Sequence, residues 1–181
     1  MNYISKLFLV MLFLLLSCSN DKEGDARKLI NYFMSNAEQL EQFKQIQIVP
    51  RGEDSFIYGI DSIHLGLYLI GFNSNNESEL KVSHLPDSLL LERGINDKSN
   101  FKATILKSAY KNLCIMEKLK IRAVNNCQLK EDCCIEFILQ NETVVNYFCS
   151  EVKSNKQIKK RYGYDNEIVG KNWTYSLKVA N

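Results

Sequence analysis

The sequence predicts an α+β protein, with an antiparallel β-meander in the C-terminal third packed against two main helices. Three observations predict it. Ala26, Ile30, Phe33, Ala37 and Leu40 recur at three- and four-residue steps between polar side chains. Phe101, Ile105, Ala109, Leu113 and Met116 repeat that spacing. Near the C-terminus the step changes to two: Trp173, Tyr175, Leu177 and Val179 point one way, Thr174, Ser176 and Lys178 the other. A step of three to four residues is the signature of a helix with one apolar stripe, and alternation that of a half-buried strand. Helices followed by a run of strands define an α+β arrangement.

The chain opens with one early Lys and an apolar run, Leu7 to Leu16, followed by Ser17 and Cys18. A cationic start, a short apolar stretch and a small residue describe an export signal. As a helix the run spans about 15 Å, half a bilayer core, too short for a lasting transmembrane span. Leu15-Leu16-Ser17-Cys18 resembles the lipobox of bacterial lipoproteins. The resemblance implies that signal peptidase II cuts before Cys18, that its sulfur carries lipid and that its new amine is acylated. It assigns residues 1–17 to the signal peptide, 18–24 to a lipid-anchored tether and 25–181 to a single α+β domain. Ser19 resembles the sorting position of lipoproteins that enter the Gram-negative outer membrane. Asn20-Asp21-Lys22-Glu23-Gly24-Asp25 is similar to the acidic surface-export tether of Bacteroidetes lipoproteins.

Without residues 1–17 the basic side chains number 22 against 21 acidic ones, because only Lys6 is lost from the 23 Lys and Arg of the whole chain. A balance this even argues against a nucleic-acid partner, which calls for a basic excess. With 45% hydrophobic residues and two prolines, the composition is that of a folded domain. No internal repeat is visible.

Asp21 to about Gln45 reads as one helix, with Asp25 suited to the positive end of its dipole. Ile46-Gln47-Ile48-Val49 reads as a strand stopped by Pro50-Arg51-Gly52. Phe56 to Phe72 is apolar throughout, and periodicity leaves its state open. Asn73 to Ser78 reads as a polar loop. Pro86 to Arg93 suggests a short helix ended by Gly94. Asp97 then caps a helix over Lys98 to Leu119, whose stripe is core. Ile121 to Val124, Cys133 to Gln140, Thr143 to Ser150 and Asn172 to Val179 read as strands.

Besides Cys18 the chain holds Cys114, Cys127, Cys133, Cys134 and Cys149. Export permits disulfides. A two-residue hairpin loop at Asn141-Glu142 places Cys134 opposite Cys149, and Ile135, Phe137 and Leu139 on the core face beside Val144, Asn146 and Phe148. Cys127 and Cys133 are then candidates to clip the preceding loop, leaving Cys114 as a small buried side chain. The spacing is not that of a zinc site or of a Cys-x-x-Cys redox pair, so no metal and no cofactor is expected.

Chemistry is sparse. His64 and His84 have no acid at motif spacing, and the phosphate loop, the His-Glu-x-x-His helix and the Gly-x-Ser-x-Gly elbow are absent from the sequence. No catalytic residue is assigned. Lys153, Lys156, Lys159, Lys160 and Arg161 form the densest basic stretch, read as a solvated loop with attraction to anionic head groups or glycans as its alternative. Asn76, Asn141 and Asn172 match the N-glycosylation pattern, which a bacterial lipoprotein does not use.

From Lys98 onward a helix, the strand Ile135-Glu136-Phe137, the strand ending Tyr147-Phe148-Cys149-Ser150, a basic-polar loop and a terminal Asn172-Trp173-Thr174-Tyr175 follow in order. This order resembles a class of small Bacteroidetes envelope lipoproteins without an assigned activity, from which the chain departs by its extra cysteines. The class implies an envelope α+β domain and transfers no functional residue. The expectation is a lipid-anchored, non-catalytic binding or structural module of the cell envelope, held to the membrane by its lipid, with a protein or glycan partner and no nucleic acid. An immunity or inhibitor-type protein is the alternative, followed by an envelope hydrolase built on His64 or His84.

Overall fold

Ile48, Tyr58, Val124, Phe137, Val145 and Tyr175 stand in one cross-strand row over six antiparallel strands, each almost fully buried. The row is the floor of an α+β fold whose helices supply the roof. The computed structural model describes residues 22–51, 55–60, 63–70, 81–82, 90–91, 94, 96–129, 132–152 and 167–176. Among these, nine strands form one antiparallel sheet: β1 Ile46–Pro50, β2 Ser55–Ile60, β3 Ile63–Ile70, β4 Lys81–Val82, β5 Ile121–Leu129, β6 Asp132–Leu139, β7 Val144–Phe148, β8 Glu167–Val169 and β9 Trp173–Ser176. Their order is β4-β3-β2-β1-β5-β6-β7-β9-β8. The ambiguous stretch from Phe56 thus contains two strands, and the sheet reaches into the N-terminal half. Although the sequence shows no repeat, helix-then-meander occurs twice, and the first strand of each meander, β1 and β5, pair antiparallel at the centre.

Helix α1 covers residues 22–35 and α2 covers Ala37–Phe43. The single helix expected over this region breaks at Asn36, whose φ of −134° is not helical. Its side-chain Nδ2 donates to the Tyr32 carbonyl at 2.7 Å, so the amide satisfies one of the acceptors that the helix end leaves open. Ala26, Leu29, Ile30 and Phe33 enter the core from α1, and Leu40 and Phe43 from α2. Phe33 stacks on Phe137 at 5.0 Å between centroids and lies 6.3 Å from Trp173. Such aromatic pairs add about 0.5–1.5 kcal/mol beyond their burial.

Helix α3, Lys98–Lys118, begins as the sequence requires: Asp97 accepts from the Asn100 backbone N–H at 2.9 Å. Ile105, Ala109, Leu113 and Met116 are buried and Phe101 packs at the edge. Gly94 stands at φ +69°, the left-handed conformation that glycine adopts without a Cβ clash. Within the Pro86 to Arg93 region, residues 90 and 91 are helical, with Leu90 buried. The remainder, like the Asn73 to Ser78 loop, lies outside the described residues.

The β6–β7 hairpin differs from its expected register by one residue. Phe137 faces Val145 and Cys134 faces Phe148, so the loop is Gln140-Asn141-Glu142. Glu142 takes φ +65° and its N–H donates to the Leu139 carbonyl at 3.0 Å, while Asn141 Oδ1 accepts from the Thr143 N–H. A turn followed by a left-handed residue is the usual three-residue hairpin loop. Ile135, Phe137 and Leu139 still face the core, but Val145 and Tyr147 now accompany them. Val144, Asn146 and Phe148 occupy the reverse face. The slip brings Cys133 opposite Cys149; their Cα atoms lie 5.3 Å apart and a disulfide joins them. Cys134 therefore does not oppose Cys149. Nor does Cys133 clip Cys127: the β5–β6 register sets Cys127 opposite Cys134, and Cys134 is itself disulfide-bonded.

Candidate functional site

Lys107, Lys111, Cys114 and Lys118 follow one another at steps of four, three and four residues, which places them on one face of α3. That face is not the one that meets the sheet. It forms the floor and one wall of a groove of about 500 Å³, completed by Tyr110, Ile115 and, from α2, Gln39. Gln39 is positioned by Tyr32 of α1, whose hydroxyl donates to its Oε1. The Lys118 ammonium lies over the Tyr32 ring, 5.0 Å from its centroid. Three helices thus fix the groove, two of them through Tyr32.

The charges along it are one-sided. Lys107 and Lys111 form no ion pair among the described residues. Like charges four residues apart on a helix cost about 0.2–0.5 kcal/mol. Cys114, at the floor between these cations, is a free half-buried thiol. Lysine stems line the walls with methylene groups while their ammonium groups reach water, so the groove is apolar below and cationic at its rim.

Two other polar groupings lie within the fold. Asn112 of α3 donates to the Tyr58 hydroxyl at 2.9 Å, with Ser108 Oγ 3.2 Å from the same oxygen, so a buried polar contact pins α3 to β2. Burial raises the Tyr58 pKa, while its hydrogen bonds with Ser108 and Asn112 oppose the rise. On the reverse face of the sheet, Asn125, Glu136, Asn146 and Thr174 form a polar cross-strand row. Asn125 donates to Glu136 at 3.0 Å. Asn146 and Thr174 are fully buried, and among the described residues neither the Asn146 amide nor the Thr174 hydroxyl has a hydrogen-bond partner.

Of the residues singled out in the sequence, Cys18, His84, Asn76 and the basic stretch from Lys153 to Arg161 lie outside the described residues. His64 falls in β3. Asn141 and Asn172 do structural work: Asn141 Nδ2 donates to Asp25 at 3.2 Å, and Asn172 Nδ2 to the Phe148 carbonyl at 2.8 Å. Among the described residues no group of three His, Cys, Asp or Glu is placed to hold a metal ion. No helix there is long and apolar enough to cross a membrane. The sequence does not announce the groove, because the apolar stripe of α3 marks only the opposite face; Lys107, Lys111 and Lys118 at helical spacing, with Cys114 among them, are the available signal.

Comparison with protein-family models, with curated proteins and with solved structures finds no match to this chain. The class of protein is therefore defined by fold and groove alone: an α+β domain carrying a cationic groove on its helical layer.

Proposed function

We propose that this chain is a lipid-anchored binding module of the cell envelope, sorted to the outer membrane, which uses the α2–α3 groove rather than a catalytic centre. The groove carries the reading, because it combines an apolar floor with Lys107 and Lys111, which form no ion pair among the described residues. Binding sites are concave and largely apolar, with a few placed polar groups. Anchoring rests on Leu15-Leu16-Ser17-Cys18. From Cys18 to the first described turn of α1 at Lys22 the chain extends at most about 14 Å. Lipid on Cys18 therefore keeps that turn close to the bilayer. Asp25, in this turn, is held by Lys120 at 3.1 Å and by Asn141, so the α3–β5 junction and the β6–β7 turn belong to the same membrane-facing end. One acyl chain binds weakly and reversibly; two or three hold firmly.

Detergent-phase partitioning and intact-mass spectrometry of the wild type and Cys18→Ser test the anchor. The wild type partitions into detergent with a lipid-modified Cys18 at its N-terminus, and Cys18→Ser remains aqueous. Equal partitioning of the two proteins sinks the reading.

A further inference from the structure

We infer that the α2–α3 groove receives an acidic, apolar-anchored polypeptide segment of a partner protein; the inference rests on the binding-module reading and specifies its ligand. Charge complementarity comes first. Lys107 and Lys111 repel one another along one helix face without a compensating carboxylate among the described residues. An occupant bearing carboxylates removes that repulsion, and Lys118, already held over the Tyr32 ring, offers a third cation at the end of the groove.

Shape comes second. On the groove floor Ile115 is buried and Tyr110 and Cys114 are half-buried, whereas Lys107, Lys111 and Lys118 around them are exposed. A flat anionic bilayer reaches the rim cations and leaves this floor empty, whereas a peptide side chain fills it. Spacing agrees. Lys107 and Lys111 are separated by about 6 Å along the helix axis. Acidic side chains two apart in an extended peptide are about 6.6–6.8 Å apart and project to the same side. The recognised pattern is therefore Asp or Glu at alternate positions, with Leu or Phe nearby to enter the floor.

Cys114 supplies a reporter, being a free thiol on that floor. The experiment uses the lipid-bearing full-length mature protein, in neutral detergent for the peptides and reconstituted in vesicles for the lipid arm. Its probes are fluorescent hexapeptides with Glu at the first and third positions and Leu or Phe at the fifth, which projects to the same side, the same peptides with Lys in place of Glu, and vesicles of phosphatidylglycerol or of phosphatidylcholine. Binding is read by anisotropy and by the rate at which iodoacetamide alkylates Cys114. The Glu peptides are expected to bind saturably, to slow alkylation severalfold and to lose affinity as salt rises. Lys107→Glu/Lys111→Glu is expected to weaken them about tenfold or more with an unchanged melting temperature, as loss of complementary charge requires. Lys107→Gln/Lys111→Gln falls between. Peptide binding that ignores these substitutions, or that leaves Cys114 as reactive as before, overturns the assignment. So does slower Cys114 alkylation in phosphatidylglycerol than in phosphatidylcholine vesicles with no effect of the peptides, or no peptide binding at all. Failure here with normal detergent partitioning removes the ligand alone; failure of Cys18→Ser to change partitioning removes the anchor and leaves the peptide result standing.

Discussion

Cys133 and Cys149 face one another at one end of the β6–β7 hairpin, joined as a disulfide with Cα atoms 5.3 Å apart. Because neighbouring residues on a strand point to opposite faces, Cys134 cannot share that bond, and the β5–β6 register sets Cys127 against it. Peptide mapping without reduction is expected to yield Cys133 linked to Cys149 and Cys134 linked to Cys127, with Cys114 alkylated. The Cys133–Cys149 bond closes a sequence separation of 16 residues. Cys133→Ser/Cys149→Ser is expected to lower stability by about 2–3 kcal/mol, measured by urea unfolding. Recovery of a Cys134–Cys149 peptide contradicts the register.

Glu142 holds φ +65° at the third position of the hairpin loop, where a Cβ is strained and glycine is not. Glu142→Gly is expected to stabilise the protein by about 1 kcal/mol, the cost of a left-handed residue less the extra freedom of glycine in the unfolded chain. A lower urea midpoint for the variant counts against the left-handed turn.

The same residue explains why the sequence misplaces this register. A three-residue loop normally announces itself with glycine, and Gln140-Asn141-Glu142 has none, so the pattern of Ile135, Phe137 and Leu139 orients β6 correctly while leaving β7 free to slip by one. Local signals with a direct physical cause were legible: the Asp97 cap, the left-handed Gly94 and the α3 stripe. The break at Asn36 was not, because the apolar spacing continues through Ala37 and Leu40 across it. Nor was the β1–β5 pairing, which joins strands separated by more than seventy residues and is set by the packed core rather than by local pattern. The groove was hidden for a different reason: a cation on a helix face says nothing until its neighbours are known.

Tyr175, buried in the core, donates to Glu167 Oε2 at 2.6 Å, and burial, that hydrogen bond and the Glu167 charge push its pKa up to about 12. In the unfolded chain a tyrosine titrates near 10. Between those values the unfolded state has released a proton that the folded state retains, so the folded state loses stability as pH rises. Its contribution is complete below about pH 10 and lost as pH climbs through about 12. Tyr175→Phe is expected to flatten the fall of the urea midpoint over this window. An unchanged alkaline slope in that variant argues against the raised pKa.

Asn146 and Asn112 are both fully buried asparagines, yet their substitutions carry opposite signs. Among the described residues the Asn146 amide makes no hydrogen bond, and the hydroxyl of Thr174, its cross-strand neighbour, makes none either. Burying such groups without a partner costs about 1–3 kcal/mol each. Thr174→Val keeps the shape and removes the unpaired hydroxyl, so it is expected to raise stability by about 1 kcal/mol. Asn146→Leu is expected to be neutral or better, its added bulk offsetting part of the gain. Asn112→Leu removes the donor to the Tyr58 hydroxyl at 2.9 Å, and although it also removes an Oδ1 that is unpartnered among the described residues, it is expected to cost about 1 kcal/mol. Urea unfolding of the three variants decides the matter. A loss for Thr174→Val as large as that for Asn112→Leu means that an ordered water already satisfies the reverse-face row, and the sign assigned to Thr174 is then wrong.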